Sequence, residues 1–318
     1  MNIFPLSIPT PFYVGDVNVY LIRQDPLTLI DVGPKTDTAA KALRSKLAEH
    51  GVQFSDVRRI VLTHAHEDHC GLAKRVRDES KNAEVMIHEW ETGHLFGRLA
   101  HEEHRQLMLR SGVPDAVFED MRVLYEEISL LTDSLDGGDL TPLTDEMELE
   151  FEGGALKVLH TPGHTPGSCS FVREADRTLI CGDCVLKRIT PNPILSPDPV
   201  DPTKRFASLA EYLVSLAKLR SYSPTLAYGG HGEPVTDFEE IFRRYVRSID
   251  ERQRRVIALV REGTTAYEVA QRLFPDSFGH DVHRFLAISE AIAHLDYAES
   301  EGKVSVEASG GIEYYRKG

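Results

Sequence analysis

Residues 63–71 contain the most restrictive feature of the chain, a run of three histidines and one aspartate within six positions. The run reads Thr-His-Ala-His-Glu-Asp-His-Cys-Gly, and its candidate ligands are His64, His66, Asp68 and His69. Imidazole and carboxylate groups are the ligands that zinc and similar divalent metals prefer. A polar, solvated loop with no ligand role is the alternative interpretation. The density of metal-binding side chains favours a metal site.

The segments on either side of this run predict where it lies in the fold. Residues 57–63 are apolar and rich in β-branched side chains, which is typical of a buried strand. Residues 71–78 have the pattern of a helix. The histidines are therefore expected on a turn at the carboxyl end of a strand, where α/β proteins place ligands and reactive groups. Side chains on such a turn can converge on one point.

Three further candidate ligands occur downstream in similar settings. Each follows an apolar run and lies close to glycine or in a Pro-Gly turn, and they are His164, Asp183 and His231. Glycine permits the close backbone approach that a ligand site requires. Taken singly, each would be an ordinary turn residue. Four such strand ends in one chain favour a shared site, and seven candidates are enough for two metal ions.

With these motifs in this order, the chain resembles the metallo-β-lactamase-fold hydrolase superfamily over residues 14–235. A further motif, Leu-Ile-Asp-Val-Gly at residues 29–33, precedes the histidine run as that resemblance requires. The resemblance implies an α/β fold, a four-layer αββα sandwich. Leu72 departs from the pattern, because many relatives have a second glycine there. We expect this change to affect local helix packing more than chemistry.

The resemblance also implies a role for each candidate residue. Three histidines would hold one metal, an aspartate and two histidines would hold the second, and one further aspartate would bridge both. In that order these residues are His64, His66 and His164, then Asp68, His69 and His231, then Asp183. Asp31 would orient the metal-binding loop by hydrogen bonds without being a ligand. Aspartate at position 183 is similar to the thioesterase and nuclease branches, whereas antibiotic-degrading relatives commonly have cysteine there.

The implied mechanism is hydrolysis by a metal-bridging hydroxide. Two divalent cations would share a water and lower its pKa towards neutrality, while Asp68 helps to orient and deprotonate it. Zn2+ is the expected metal, although the same ligands accept iron or manganese. No serine or cysteine nucleophile is needed. Cys181 and Cys184 form a CxxC pair, which leaves a redox role as an alternative.

Charge and hydropathy limit the classes of substrate and location. Residues 1–239 carry 37 acidic and 24 basic side chains, a net charge of −13. Nucleic-acid binding relies on clustered lysine and arginine, so this balance favours a small substrate. No run of about 18 apolar residues predicts a membrane helix, and the first residues lack the pattern of a signal peptide. The four cysteines are too few for a disulfide scaffold, so a cytoplasmic location is expected.

Two segments between and after the ligand motifs are expected to shape the substrate pocket. Residues 89–139 are predicted to form two amphipathic helices that cover the metal site as an insertion. Lys187 and Arg188 follow Asp183 closely, so they are candidates to bind an anionic group of the substrate. Solvated loop charges are an equal alternative. Prolines between residues 191 and 202 predict a long irregular connection.

The C-terminal residues 238–318 are predicted to form a domain separate from a catalytic domain of residues 1–237. Three helices followed by a hairpin resemble a winged-helix domain, which occurs in a branch of the superfamily that includes some endoribonucleases. Winged helices also serve in domain or dimer packing, and the near-neutral charge of this region favours packing. A homodimer is left open. Seven arginines in residues 243–261 are interpreted as a solvated helix face rather than a nucleic-acid contact.

Three functional hypotheses follow. The first is a hydrolase of a small ester, thioester or lactone. The second is a metal-dependent endoribonuclease or other phosphodiesterase, which the tail favours and the acidic charge disfavours. The third is not hydrolytic: an iron-dependent persulfide dioxygenase, a diiron redox protein or a binding protein. Diiron redox relatives typically have glutamate in place of the second histidine of the run, whereas position 66 is histidine here.

Overall fold

Two β-sheets packed face to face form the centre of the computed structural model, which describes residues 2–80, 83–96, 101–135, 140–279 and 281–318. Helices cover the outer side of each sheet, and a two-stranded hairpin ends the chain. The predicted α/β sandwich is therefore confirmed. No helix among these residues is long and apolar enough to span a membrane.

The first sheet has six strands that follow one another in chain order. They are β1 (Ile3–Ile8), β2 (Val17–Ile22), β3 (Thr28–Ile30), β4 (Arg59–Val61), β5 (Glu84–His88) and β6 (Leu140–Leu143). Strands β1 to β3 are antiparallel neighbours, and β3 to β6 are parallel neighbours. Because parallel strands end at the same edge, the turns that follow β3, β4 and β5 meet there.

The second sheet has five strands in the order β11-β10-β9-β8-β7. They are β7 (Glu148–Phe151), β8 (Gly154–His160), β9 (Cys169–Arg173), β10 (Thr178–Gly182) and β11 (Leu226–Gly229). Only the pair β10 and β11 is parallel. The residues that follow these two strands therefore lie side by side.

Ten helices are described along the chain. They are α1 (Asp37–Glu49), α2 (Glu67–Cys70), α3 (Ala73–Ser80), α4 (Thr92–Leu95), α5 (His101–Arg110), α6 (Asp115–Ser129), α7 (Ser208–Ser221), α8 (Phe238–Leu259), α9 (Ala266–Leu273) and α10 (Asp281–Ser300). The C-terminal hairpin consists of β12 (Val304–Ser309) and β13 (Ile312–Lys317). The capping box predicted at Thr265 and Glu268 begins α9.

Three apolar clusters hold the four layers together. Side chains of both sheets, such as Ile30 and Phe171, meet in the central cluster. On the outer face of the first sheet, Leu29 and its neighbours pack on α1 and α3. On the outer face of the second sheet, Leu179 and its neighbours pack on α7 and α8. Because these strands are buried on both faces, their sequences are continuous apolar runs.

The insertion and the C-terminal helices share a fourth cluster. Met108 and Phe118 of the insertion pack in one group with Val256 of α8 and Ile288 of α10. Amphipathic helices need such a partner surface, because their apolar faces are not stable in water. The insertion is therefore held by the C-terminal region.

The histidine run, predicted to lie on a turn, contains a short helix, and the helix predicted over residues 71–78 begins two residues later. Glu67, Asp68 and His69 already lie in α2, and α3 begins at Ala73. Two acidic residues in the first turn of a helix interact favourably with its N-terminal dipole. Leu72 is buried in the cluster against α1 and α3, in keeping with the packing effect expected there.

Candidate metal centre

Hydrogen bonds join the two sheets at the edge where the turns that carry the candidate ligands lie. The Cys169 amide donates to the Thr63 carbonyl at 2.8 Å, and the Tyr20 hydroxyl donates to the Gly229 carbonyl at 2.6 Å. The turns after β4, β8, β10 and β11 consequently meet in one buried region. All seven predicted ligands lie in this region.

The first group of side chains consists of three histidines with their ring nitrogens facing one another. His64 Nε2 lies 2.9 Å from His66 Nδ1, and His164 Nε2 lies 3.1 Å from the same atom. Nitrogens at such short distances converge on one point. The three imidazoles could hold one metal ion, as three protein ligands suffice for a mononuclear site.

The second group consists of Asp68, His69 and His231. His231 Nε2 lies 3.3 Å from Asp68 Oδ2, and His69 Nε2 lies 3.9 Å from Asp68 Oδ1. Asp183 lies against both groups: its carboxylate is 3.5 Å from His69 Nε2 and 3.7 Å from His164 Nε2. A ligand shared by two metal ions would have to lie between the two groups, as Asp183 does.

The outward-facing nitrogens of three histidines are each held by an oxygen of the protein. His164 Nδ1 lies 2.9 Å from the Asn192 carbonyl, and His231 Nδ1 lies 2.9 Å from the Asp16 carbonyl. His69 Nδ1 lies 2.8 Å from Asp31 Oδ2. With its proton on Nδ1, each ring presents an unprotonated Nε2 to the centre, as a metal ligand must.

Asp31 forms hydrogen bonds with residues of the histidine run. It is fully buried directly after β3 and has a positive φ of 58°. Its carboxylate accepts hydrogen bonds from the Thr63 amide at 2.8 Å and from the Thr63 hydroxyl. Together with the bond to His69, these contacts fix both ends of the run.

Three atoms at the centre indicate that a cation fits there. His69 Nε2, Asp183 Oδ1 and His231 Nε2 are buried and have no hydrogen-bond partner among the described residues. Leaving a buried polar atom without a partner costs roughly 1–3 kcal/mol. A divalent cation bound by these atoms would remove that cost, and their chemistry matches its preferred ligands.

The electrostatics of the centre favour the metal-binding protonation state at some of its side chains and oppose it at others. Burial, together with the neighbouring His164, lowers the pKa of His66 to about 4, so the ring is neutral. Burial alone would raise the pKa of Asp183, but the surrounding histidines hold it well below its usual range. For His69, burial is outweighed by nearby carboxylates, which raise its pKa and favour the protonated ring, so a cation that binds there would have to displace that proton. Neutral imidazoles and ionised carboxylates are the forms in which these side chains coordinate metals.

The two cationic candidates and the cysteine pair lie in different settings. Lys187 and Arg188 both form ion pairs with Glu233, at 2.7 and 2.5 Å, and Arg188 is 77% exposed.

Cys181 and Cys184 are buried free thiols. Burial raises the pKa of Cys184 to about 12, so its thiol is protonated at neutral pH and unreactive.

Two residues near the centre were missed by sequence reasoning. Glu91 follows β5 and accepts hydrogen bonds from both histidine-bearing turns. Asn192 offers its carbonyl to His164, while its side-chain amide donates to the Leu286 carbonyl of α10 at 3.0 Å. Glu91 could have been found by extending the strand-end argument to β5. Nothing in the local sequence distinguishes Asn192 from its neighbours in the proline-rich segment.

Gly230 provides a test of the centre without changing a ligand. A Cβ at this position would collide with Asp183 Oδ1 and lie 2.7 Å from His69 Cε1. Gly230→Ala is therefore expected to displace both side chains and to lower metal affinity by about 10-fold or more, as misplaced ligands typically do. Metal content after dialysis measures the effect. Gly93→Ala is the matched control, since nothing lies within 4 Å of a Cβ there. Unchanged metal content in Gly230→Ala would contradict the geometry.

Comparison with known proteins finds a family model and a relative that cover most of the chain. The family model described as the metallo-beta-lactamase superfamily matches residues 12–231. A probable metallo-hydrolase of Bacillus subtilis, YqjP, is 32% identical over 99% of this chain and 98% of its own length.

Similarity extends to solved structures and to more distant relatives. The metallo-beta-lactamase family protein TTHA1429 of Thermus thermophilus superposes with a TM-score of 0.84 at 31% identity, over 99% of this chain and 98% of that one. An atrochrysone carboxyl ACP thioesterase of Emericella nidulans is 22% identical over 93% of this chain and 78% of its own length.

Proposed function

Since the chain belongs to the metallo-beta-lactamase superfamily, we propose that it is a binuclear metal-dependent hydrolase of a small ester, thioester or lactone. The observation that carries the proposal is the position of Asp183 between two groups of three ligands. One ion would be held by His64, His66 and His164 and the other by Asp68, His69 and His231, and Asp183 would be a ligand that both share. Zn2+ is the proposed metal. Two such ions, when bound, would supply Lewis-acid polarisation and a water of lowered pKa.

The remaining chemistry is assigned to residues of the chain. Burial alone would raise the pKa of Asp68, but His69 and His231 lower it, so the carboxylate is ionised. An ionised carboxylate at this position is proposed to orient the attacking water and to accept its proton. Asp31 is proposed to hold His69 in its orientation and to keep the proton on Nδ1.

A small substrate suits the charges of the protein better than a polynucleotide. The acidic balance of residues 1–239 opposes a long phosphate backbone. Several arginines of α8 also contact the protein itself: Arg252 pairs with Glu290, Arg254 pairs with Asp250 and Arg244 donates to the Lys187 carbonyl. These side chains are not arranged as a nucleic-acid surface.

Lys187 and Arg188 are proposed to contact an anionic group of the substrate. They follow Asp183, and their common partner Glu233 lies two residues after His231. A substrate carboxylate would have to compete with Glu233 for these cations. The proposal therefore expects a larger effect on KM than on kcat when either residue is replaced.

The C-terminal residues 238–318 are proposed to act as a winged-helix-like packing domain. The cluster that α8 and α10 share with the insertion supports this role. A cytoplasmic location and assembly as a homodimer remain predictions.

The experiment for the proposed function compares two substrate classes with one preparation. Zinc-loaded protein is expected to hydrolyse at least one member of a thioester and ester panel that includes S-lactoylglutathione, and to lose this activity in a chelator. Labelled RNA, assayed in parallel, is expected to remain intact. Chelator-sensitive RNA cleavage without thioester turnover would overturn the proposal in favour of an endoribonuclease. Full turnover by metal-free protein would exclude metal-dependent hydrolysis.

A further inference from the structure

Glu91 is a buried carboxylate that touches both histidine-bearing turns of the centre. It ends the short turn that follows β5 and is only 6% exposed. Oε2 accepts a hydrogen bond from the Ala65 amide at 3.0 Å. Oε1 accepts hydrogen bonds from the Thr165 hydroxyl and the Gly167 amide, both at 2.7 Å. One side chain therefore connects two segments that are about a hundred residues apart in the chain.

Two of the three donors are immediate neighbours of proposed ligands. Ala65 lies between His64 and His66, and Thr165 directly follows His164. The three histidines form the group whose nitrogens face one another at 2.9 and 3.1 Å. Any movement of one turn relative to the other changes the 3.1 Å distance, because His66 lies on one turn and His164 on the other. Glu91 limits that movement, since each of its two oxygens holds one turn.

The carboxylate is stabilised by these hydrogen bonds and not by an opposite charge. Within the part of the chain that the structure describes, Glu91 forms no ion pair. Burying a charge without a counter-charge is costly, and hydrogen bonds from backbone amides to an ionised group are the strong interactions that offset the cost. Three donors on two oxygens require a carboxylate, because an amide side chain has only one accepting oxygen.

The turn after β8, which contains His164, also makes room for the side chain of Glu91. A Cβ at Gly167 would lie 2.6 Å from Glu91 Cγ, well inside the contact distance of two carbon atoms. Glycine at this position therefore makes room for the side chain against the backbone. The Pro-Gly pair of the turn and the glutamate after β5 form one structural unit.

We infer that Glu91 is a positioning residue that sets the geometry of the His64, His66 and His164 group and so the affinity of its metal ion. The inference rests on the proposed metal centre. Glu91 acts through the backbone of the two turns, and no role as a ligand is assigned to it. Outer partners of metal ligands typically change metal affinity by about 10- to 100-fold when they are replaced.

The test is the stepwise binding of Zn2+ to Glu91→Gln, measured by competition with a chromophoric chelator. The amide keeps one accepting oxygen and turns an N–H group towards one of the donors, so one turn is released. We expect one of the two metal equivalents to weaken by about 10-fold or more, while the other stays within about twofold. Glu89→Gln is the matched control, because Glu89 lies in the same turn but is exposed. It should bind both equivalents as the wild type does.

A second, milder variant keeps the inference testable if Glu91→Gln does not fold. Thr165→Val removes one of the three donors and leaves the carboxylate in place. The same single equivalent should weaken by a few-fold. Co2+ absorption spectra of both variants should change only in the bands of the weakened site.

Two results would overturn the inference. One is wild-type affinity for both equivalents in both variants. The other is an equal loss of both equivalents together with a lower unfolding temperature of the metal-free protein, which is the signature of a purely structural role. Wild-type protein that binds fewer than two equivalents would instead overturn the proposed metal centre, and the inference with it.

Discussion

Asp183→Ala is expected to abolish binding of both metal ions and to reduce kcat/KM by roughly 10³-fold or more. Asp183 lies within 4 Å of proposed ligands from both groups, at 3.5 Å from His69 and 3.7 Å from His164. Its removal takes away a ligand from each ion. It also leaves several histidines facing one another without the negative charge that keeps them together.

Two measurements separate the loss of metal from a loss of fold. Elemental analysis after dialysis gives the metal stoichiometry, and circular dichroism reports the secondary structure of the same sample. His50→Ala is a suitable control, since the ring of His50 packs on Phe4 outside the ligand groups. Retention of two metal ions by folded Asp183→Ala protein would contradict its bridging position.

Arg205→Met is expected to lower the free energy of unfolding by about 3–5 kcal/mol, the usual cost of leaving buried charges unpaired. Arg205 lies in the proline-rich segment with a side chain only 9% exposed. It donates two hydrogen bonds to Asp296 of α10, at 2.7 and 2.8 Å, and one to Glu313 of β13, at 2.6 Å. Arg110 of the insertion contacts the other oxygen of Glu313 at 2.6 Å. Arg205 therefore joins the proline-rich segment to α10 and to β13.

The effect should depend on pH in a defined direction. Burial alone would raise the pKa of Glu313, but Arg205 and Arg110 lower it below its usual value. A carboxyl group whose folded pKa is depressed contributes stability above its unfolded pKa of about 4.3, and that stability is lost as the pH falls through the folded pKa. The difference between wild type and variant should be constant from pH 6 to 8 and shrink below about pH 4.

Urea unfolding monitored by circular dichroism measures both quantities. Lys204→Met is the matched control, because Lys204 pairs with Asp201 but is 74% exposed. Exposed pairs contribute roughly 0–1 kcal/mol, so the control should unfold almost as the wild type does. Equal stability of the two variants would mean that the buried network is not a structural connection.

The network around Arg205 and the contacts of Asn192 give the C-terminal region a role at the metal centre. Asn192 holds His164 through its carbonyl and is itself held by the Leu286 carbonyl of α10. The segment between the two residues is thereby attached to the C-terminal helices at both ends. The orientation of one proposed ligand thus depends on a region outside the matched family segment of residues 12–231.

The proposed ligands were predictable from the sequence because their requirements are local. A histidine run directly after a buried strand, and single polar residues beside glycine after other strands, occur at positions where side chains can converge. The family resemblance then assigned each ligand to a metal. The layer order of the fold was also predictable, but only from the family resemblance, which implies a four-layer αββα sandwich.

The supporting contacts were not predictable, because they join residues that are distant in sequence. The approach of Glu91 to Gly167 depends on how the two sheets meet at one edge. The pairing of Lys187 and Arg188 with Glu233 depends on the parallel neighbours β10 and β11. The short helix α2 within the histidine run was also not predicted, because its four residues are too few to show a helical pattern.

The sequence by itself determined which side chains can bind metal and at which strand ends they lie, because ligand chemistry and strand periodicity are properties of short segments. Only the tertiary structure decided which of them face one another, which oxygen holds each imidazole, and how the C-terminal helices support His164. These contacts depend on packing between layers and on buried hydrogen bonds, and the whole fold determines which residues are partners.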